Sequence, residues 1–153
     1  MNESKLILVL GDQLSLDQPA LKQSEPGRDI IVLAEVAEEA TYVRHNRHKI
    51  ALLFAAMRHF RLELESLGYD VHYTAIDQGV ASLKEAVHNV LVQTAAKEVV
   101  VCEPGEYRLV HQMRSAWSSS LGVPVTVLED DRFLASHEDF ERWARGKKQL
   151  RME

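Results

Sequence analysis

Apolar residues are concentrated in five short stretches of the chain, and polar residues separate these stretches with a different spacing. The five stretches are residues 5–10, 29–35, 70–75, 98–102 and 124–129. Residues 5–10, 29–35 and 98–102 are almost continuous in Leu, Ile and Val, which is typical of strands covered on both faces. Residues 70–75 alternate apolar and polar side chains, which predicts a strand at the edge of a sheet.

Helical spacing fills the segments between these strands. Residues 40–67 carry apolar side chains every three or four positions, which predicts one long amphipathic helix. The apolar positions are Val43, Ile50, Leu53, Met57, Phe60, Leu64 and Leu67. Residues 81–96, 107–121 and 136–145 predict three further helices.

Alternation of strands with helices predicts right-handed crossovers and a parallel sheet in a single α/β domain. Gly68 and Gly122 stand in equivalent places between a helix and the next strand, where glycine can end the helix in a left-handed conformation. Ser136 and Asp139 form the pattern of a capping box at the start of the last helix. The segment 15–28 is expected to be irregular, with at most a short helix.

Composition places the chain among soluble globular domains. It has 153 residues, of which 46% are hydrophobic and 27% are charged, and the net charge is −5. This charge argues against a whole-surface nucleic-acid binder. Cys102 is the only cysteine, which excludes an internal disulfide and a cysteine-rich metal site and fits a reducing cytoplasm. We expect neither export nor a membrane span.

Acidic residues follow the predicted strands at the edge where parallel sheets bind ligands. "LVLGDQLS" places Gly11, Asp12 and Gln13 after the first strand. The acids after the later strands are Glu35, Glu38, Glu39, Asp77, Glu103, Glu106, Asp130 and Asp131. Phosphate groups prefer backbone N–H groups and positive charge, and no glycine-rich phosphate motif is present. An uncharged ligand rich in hydroxyl or N–H groups fits better, although acids such as Glu38, Glu106 and Asp131 also suit helix N-termini.

A basic cluster on the long helix has two interpretations. It comprises Arg44, His45, Arg47, His48 and Lys49, followed by Arg58, His59 and Arg61. Such runs are usually solvated faces, and the alternative is docking to an acidic partner or to another part of a longer chain. His45 and His48 have no third ligand, so no metal site is predicted. Trp117 and Trp143 are expected to pack helices against the domain.

Four blocks of the sequence resemble one family. The blocks are "LVLGDQLS", "VLAEVAEEATYVRHNRHKIALLFAAMRHF", "CEPGEYRL" and "DDRFLASHEDFERWARGKKQLRME". They are similar to the N-terminal antenna-binding domain of the prokaryotic (6-4) photolyases. This clade is also known as the iron–sulfur bacterial cryptochromes and photolyases, or the deoxyribodipyrimidine photolyase-related proteins. The resemblance runs along essentially the whole chain, residues 1–153.

The resemblance implies a Rossmann-like three-layer αβα sandwich with a five-stranded parallel sheet of order 3-2-1-4-5. It also implies that the chain is a fragment of a longer flavoprotein, with FAD and a four-iron-four-sulfur cluster only in the remainder. The antenna in this domain would be 6,7-dimethyl-8-ribityllumazine. The positions that match the family's pocket are Gly11, Asp12, Gln13, Glu35, Glu39, Tyr42 and Ile50. Asn46 departs from the family's pattern, in which a histidine is more frequent.

The function implied is light harvesting for a photolyase or cryptochrome that acts on damaged DNA, with energy passed to FAD outside this chain. No catalytic residue is assigned here, since the lyase activity would belong to the parent protein and its C-terminal flavin-binding region. Two alternatives remain. One is a pigment-free structural module that docks through the basic face, and the other is a stand-alone nucleotide-binding domain.

Overall fold

The computed structural model of the protein describes residues 3–41 and 45–150. Five parallel strands form one sheet in the order β3-β2-β1-β4-β5. The strands are β1 (Lys5–Leu8), β2 (Ile30–Ala34), β3 (Asp70–Thr74), β4 (Glu98–Cys102) and β5 (Val125–Leu128). The strand order and the edge position of β3 are therefore confirmed.

Seven α-helical segments connect and flank the strands in the described part of the chain. They are α1 (Pro19–Lys22), α2 (Ala37–Thr41), α3 (Arg47–Ser66), α4 (Leu83–Leu91), α5 (Tyr107–Gln112), α6 (Ser118–Leu121) and α7 (His137–Ala144). A π-helical turn, Met113–Trp117, joins α5 to α6, so the predicted helix 107–121 is continuous. The predicted irregular segment before β2 contains only α1, as expected.

Helices cover both faces of the sheet. On one face, Met57, Phe60 and Leu64 of α3 pack against Ile7 and Ile31. The opposite face buries side chains of α4, α5 and the π-helical turn, among them Leu83, Val87, Leu109, Met113 and Trp117. The central strands β1, β2 and β4 are almost completely buried, which explains their continuous apolar sequences. The three-layer α/β architecture is confirmed.

The prediction of one continuous helix over residues 40–67 is wrong for the residues before Arg47. Helix α2 begins at Ala37 and extends to Thr41, and α3 begins only at Arg47. Asn46 has an extended backbone, and its side-chain oxygen accepts a hydrogen bond of 2.8 Å from the His48 amide. An asparagine in this position is a favourable N-cap, so a local side-chain bond starts a new helix where apolar spacing alone suggested continuation. Val43 and Arg44 lie outside the described residues.

Helix ends elsewhere follow the sequence signals. Gly68 and Gly122 have φ angles of 88° and 74°, the left-handed conformation expected after a helix. Ser136 and Asp139 make the reciprocal capping box at the start of α7.

Helix α7 has no buried residue, although it is eight residues long. Trp143 is 51% exposed, whereas Trp117 is 2% exposed. The prediction that both tryptophans pack into the domain is therefore correct only for Trp117. Trp143 instead lies beside Phe140 and under the ammonium group of Lys147. None of the described helices is both long enough and apolar enough to cross a membrane.

Candidate functional site

A cavity of about 310 Å³ lies at the carboxyl ends of β1, β2 and β4. The chain leaves β1 toward β2 on one side and reaches β4 on the other, so the boundary between β1 and β4 is the topological switch point of the sheet. Doubly wound sheets bind ligands in the crevice that this reversal creates. The volume is at the lower end of the range for small-molecule sites, roughly 300–1,000 Å³.

The cavity has an apolar interior. Its apolar lining residues are Leu10, Ala34, Val36, Ile50, Leu53, Phe54, Met57, Leu83, Pro104 and Leu109. Helix α3 supplies four of these residues because the apolar side that covers the sheet extends past the end of β1. A flat heterocyclic ring would find dispersion contacts on several sides there.

Charged side chains lie around this interior. Asp12 follows β1, Glu39 belongs to α2, and Glu106 directly precedes α5. His45, just before α3, and Lys49, in the first turn of α3, line the cavity on its basic side. The lining therefore combines an apolar interior with acceptors and donors that could fix the orientation of a ligand.

Most acids that follow the strands are paired with cations in the structure. The pairs are Glu35 with Arg58, Glu103 with Arg114, Asp130 with Arg132, and Asp131 with Lys22, and the His137 ring also contacts Glu103. Glu38, Glu39 and Glu106 all contact Arg108. The negative charge expected at this edge of the sheet is thus largely compensated by arginine and lysine side chains. These cations belong to helices and loops and do not directly follow the strands, so the residues at the strand ends alone do not predict them.

Asp12 is the exception among the acids that line the cavity. Its backbone carbonyl accepts a hydrogen bond of 3.0 Å from Arg132. Its carboxylate makes no hydrogen bond or ion pair with the described residues, whereas Glu39 and Glu106 are both engaged by Arg108. Asp12 therefore offers the carboxylate most readily available to donors on a ligand.

Two of the residues proposed from the sequence are buried beside the cavity and do not line it. The Gln13 side chain donates hydrogen bonds to the carbonyl oxygens of Cys102 and Glu103, at 3.3 and 2.9 Å. It thereby fixes the turn after β1 to the end of β4. Glu35 accepts two hydrogen bonds from Arg58, at 2.7 and 2.9 Å, and one from Tyr73. Both residues therefore stabilise the structure around the cavity.

The ionisation of Glu35 follows from its surroundings. Burial raises the pKa of this carboxyl, but hydrogen bonds from Arg58, Tyr73 and the Ile76 amide outweigh that effect and lower it overall. Burial and the neighbouring Glu35 carboxylate raise the pKa of the Tyr73 hydroxyl, which therefore stays protonated and donates. Glu35 is a buried anion that fixes α3 against the ends of β2 and β3.

Gly11 lines the cavity, and close packing against α3 explains why this position carries no side chain. A Cβ atom at this position would lie 3.1 Å from the sulfur of Met57 and 3.3 Å from Leu53. The absence of a side chain therefore lets α3 approach the turn after β1. Glu39 and Ile50 also line the cavity, and Tyr42 lies outside the described residues.

Several lining residues have no local signal in the sequence. The charge pattern predicts a solvated or docking face for His45 and Lys49, and the position of Glu106 predicts a helix N-terminus. The helical spacing of α3 predicts that Leu53 and Met57 belong to the core. Their second contact, with the cavity, depends on how far α3 extends beyond the sheet, and no local pattern encodes that.

The strand order and the cavity at the switch point define a doubly wound α/β domain of the Rossmann-like class. The chain belongs to the family of deoxyribodipyrimidine photo-lyase-related proteins, whose family model matches residues 7–153. It is also 43% identical, over 152 residues, to a (6-4) photolyase of Agrobacterium fabrum. That match covers 98% of this chain and 30% of the relative, so the chain spans about a third of that photolyase.

Proposed function

We propose that this chain is the antenna-chromophore-binding domain of a photolyase- or cryptochrome-like flavoprotein that repairs DNA. The observation that carries the proposal is the cavity at the switch point, with its apolar interior and the carboxylate of Asp12, which makes no ion pair within residues 3–41 and 45–150. Family membership and the (6-4) photolyase relative support the photolyase context. The domain would act in the cytoplasm, where the thiol of Cys102 stays reduced.

The proposed ligand is 6,7-dimethyl-8-ribityllumazine, which carries a hydrogen-bonding ring and a chain of hydroxyl groups without phosphate. Leu53, Phe54 and Met57 would contact the ring, and Asp12 and Glu39 would accept hydrogen bonds from ring or ribityl groups. Gly11 and Ile50 would complete the lining. Gln13 and Glu35 would support this site from behind through their buried bonds to β4 and α3.

The pigment would supply absorption of blue or near-ultraviolet light and transfer of the excitation to FAD in the remainder of the parent protein. The residues of this chain would hold the pigment in one orientation and exclude quenching water. No proton or bond transfer is assigned to them. FAD and a four-iron-four-sulfur cluster are proposed for the remainder of the parent protein only.

A binding titration tests the assignment. The purified chain is mixed with 6,7-dimethyl-8-ribityllumazine, and we expect a shifted absorption band and a saturable change in its fluorescence. Asp12→Asn should weaken binding by about 10- to 100-fold, since hydrogen bonds to charged groups contribute about 1.5–3 kcal/mol. Asp17→Asn, which changes an acid outside the cavity lining, is the matched control. Absence of saturable binding by the wild-type chain would contradict the ligand assignment, and preferential binding of ATP would favour a nucleotide-binding domain instead.

Exposed apolar residues favour a second role, docking to the C-terminal flavin-binding region of the parent protein. Leu52 and Leu62 of α3 are 72% and 58% exposed, and Leu62 lies beside Arg58 and His59 in a shallow surface depression. Hydrogen exchange compared between this chain and its full-length parent tests this role, because docking predicts slower exchange along α3 in the parent. Equal exchange in the two proteins would contradict docking through this face.

A further inference from the structure

The guanidinium group of Arg108 connects two segments that border the cavity. Its Nε donates to Oε1 of Glu106 at 2.8 Å, Nη1 to Oε1 of Glu38 at 3.0 Å, and Nη2 to Oε1 of Glu39 at 2.9 Å. Glu38 and Glu39 belong to α2, after β2, whereas Glu106 precedes α5, after β4. Arg108 itself does not line the cavity.

The two segments lie on opposite sides of the switch point. Glu39 and Glu106 both line the cavity. The side chain of Arg108 therefore connects the wall of the cavity that α2 forms to the wall at the start of α5. Helix α2 has five residues and is too short to be stable on its own. Besides the contacts with Arg108, a backbone hydrogen bond of 3.2 Å from the Glu38 amide to the Ala81 carbonyl connects α2 to the rest of the domain.

Charge explains why an arginine suits this position. Three carboxylates repel one another, and a guanidinium group presents several N–H donors in a fixed plane that can contact all three. The hydrogen bond to Glu106, followed by the contact with Glu39, raises the pKa of Arg108, so the cation persists at every physiological pH. A lysine carries the same charge but lacks the planar arrangement of donors.

The contact with Glu39 has a further consequence. Arg108 occupies Oε1 of Glu39, and Oε2 has no hydrogen bond with the described residues. We propose that Arg108 is a positioning residue of the cavity: it holds α2 in place and orients Oε2 of Glu39 toward a bound ligand, without touching that ligand. This inference rests on the proposed ligand-binding function and adds to it the residue that sets the width of the site.

The test compares three variants in stopped-flow binding of 6,7-dimethyl-8-ribityllumazine. Arg108→Gln should release the ligand about ten times faster than the wild type, a change equivalent to roughly 1.4 kcal/mol. Arg108→Lys should restore only part of the affinity. Arg114→Gln, which removes a comparable arginine contact from Glu103 outside the cavity lining, is the matched control and should leave binding unchanged.

A double-mutant cycle with Glu39→Gln separates positioning from a general effect on stability. If Arg108 acts through Glu39, then Arg108→Gln has little further effect on affinity once Glu39 has been replaced. Additive losses in the double variant would overturn the proposal. So would unchanged release rates in Arg108→Gln.

A second measurement needs no ligand. Hydrogen exchange of the amides of α2 should become faster in Arg108→Gln and stay unchanged in Arg114→Gln. Faster exchange together with no lumazine binding by the wild type would retain Arg108 as the fastener of α2 but contradict the ligand. Unchanged exchange in α2 would contradict the fastening itself.

Discussion

Arg58 of α3 donates two hydrogen bonds, of 2.7 and 2.9 Å, to the fully buried carboxylate of Glu35 at the end of β2. The pair connects the helix that lines the cavity to the central part of the sheet. Removing the cation leaves a buried anion whose remaining donors in the described part of the chain are Tyr73 and the Ile76 amide, which is strongly unfavourable.

Arg58→Ala should therefore lower the free energy of unfolding by roughly 2–4 kcal/mol, the lower part of the range for a buried charge that loses its partner, because the Arg58 side chain is itself half exposed. Urea denaturation measures the change. The matched control is Arg61→Ala, three residues further along the same helix, where the pair with Glu65 is partly exposed and should contribute less than about 1 kcal/mol. Equal losses in the two variants would contradict a special role for the Glu35 pair.

Acid should destabilise the protein through Glu35 and Asp29. Burial raises the pKa of the Asp29 carboxyl, but bonds from Arg28 and from the amides of Lys5 and Glu25 outweigh burial and lower it overall. Glu35 behaves in the same way. A lowered pKa adds stability that is complete above the unfolded value of about 4 and is lost as pH falls through the folded value.

We therefore expect the free energy of unfolding to decrease below about pH 4 as both carboxyls become protonated. Urea denaturation between pH 7 and pH 2.5 measures this decrease. Glu35→Gln should lower stability at pH 7 and make the decrease shallower. Asp77→Asn, which changes an exposed acid without a hydrogen bond among the described residues, should keep the wild-type profile. A steep decrease that persists after replacement of both Glu35 and Asp29 would contradict this explanation.

Gly11→Ala tests the close contact between α3 and the turn after β1. The new methyl group would lie 3.1 Å from the sulfur of Met57, so the side chains of Met57 and Leu53 have to move by a few tenths of an ångström, and we expect a loss of about 1–2 kcal/mol from overpacking. Gly105→Ala is the control, because its methyl group would meet only Asp12, at an ordinary 3.8 Å. Thermal unfolding compares the two variants, and the same stability in both would argue against tight packing at Gly11.

Cys102 should be inert in the folded protein. It is completely buried, and burial raises the pKa of its thiol to about 11, so little thiolate exists at neutral pH. Labelling with iodoacetamide, followed by mass spectrometry, should be slow in buffer and become fast in denaturing urea. Rapid modification of the folded chain would show that β4 opens more often than its burial suggests.

The two tryptophans should differ in fluorescence quenching. Trp117 is 2% exposed and Trp143 is 51% exposed, so acrylamide should quench only part of the emission efficiently. Trp143→Phe removes the accessible part, and Trp117→Phe removes the protected part. Equal quenching in both variants would indicate that α7 is covered in solution.

The local sequence predicted the elements well wherever they depend on neighbouring residues. Continuous apolar runs marked β1, β2 and β4, Gly68 and Gly122 marked helix ends, and the Ser136–Asp139 pair marked the start of α7. The prediction of one long helix was wrong because Asn46 caps the start of α3, and apolar spacing carries no information about a capping hydrogen bond. Burial of Trp143 failed because an amphipathic helix predicts an apolar side without specifying what covers it.

The site was predictable in position and only partly in composition. Parallel strands place their carboxyl ends at one edge of the sheet, so Gly11, Asp12 and Glu39 could be assigned from sequence order alone. The sequence by itself thus determined the fold class, the family, and the edge of the sheet at which the cavity lies. Only the tertiary structure decided that Gln13 and Glu35 are buried supports and that Arg108 joins the walls of the cavity. Those roles depend on contacts between residues 23 to 90 positions apart, and such contacts exist only after the chain has folded.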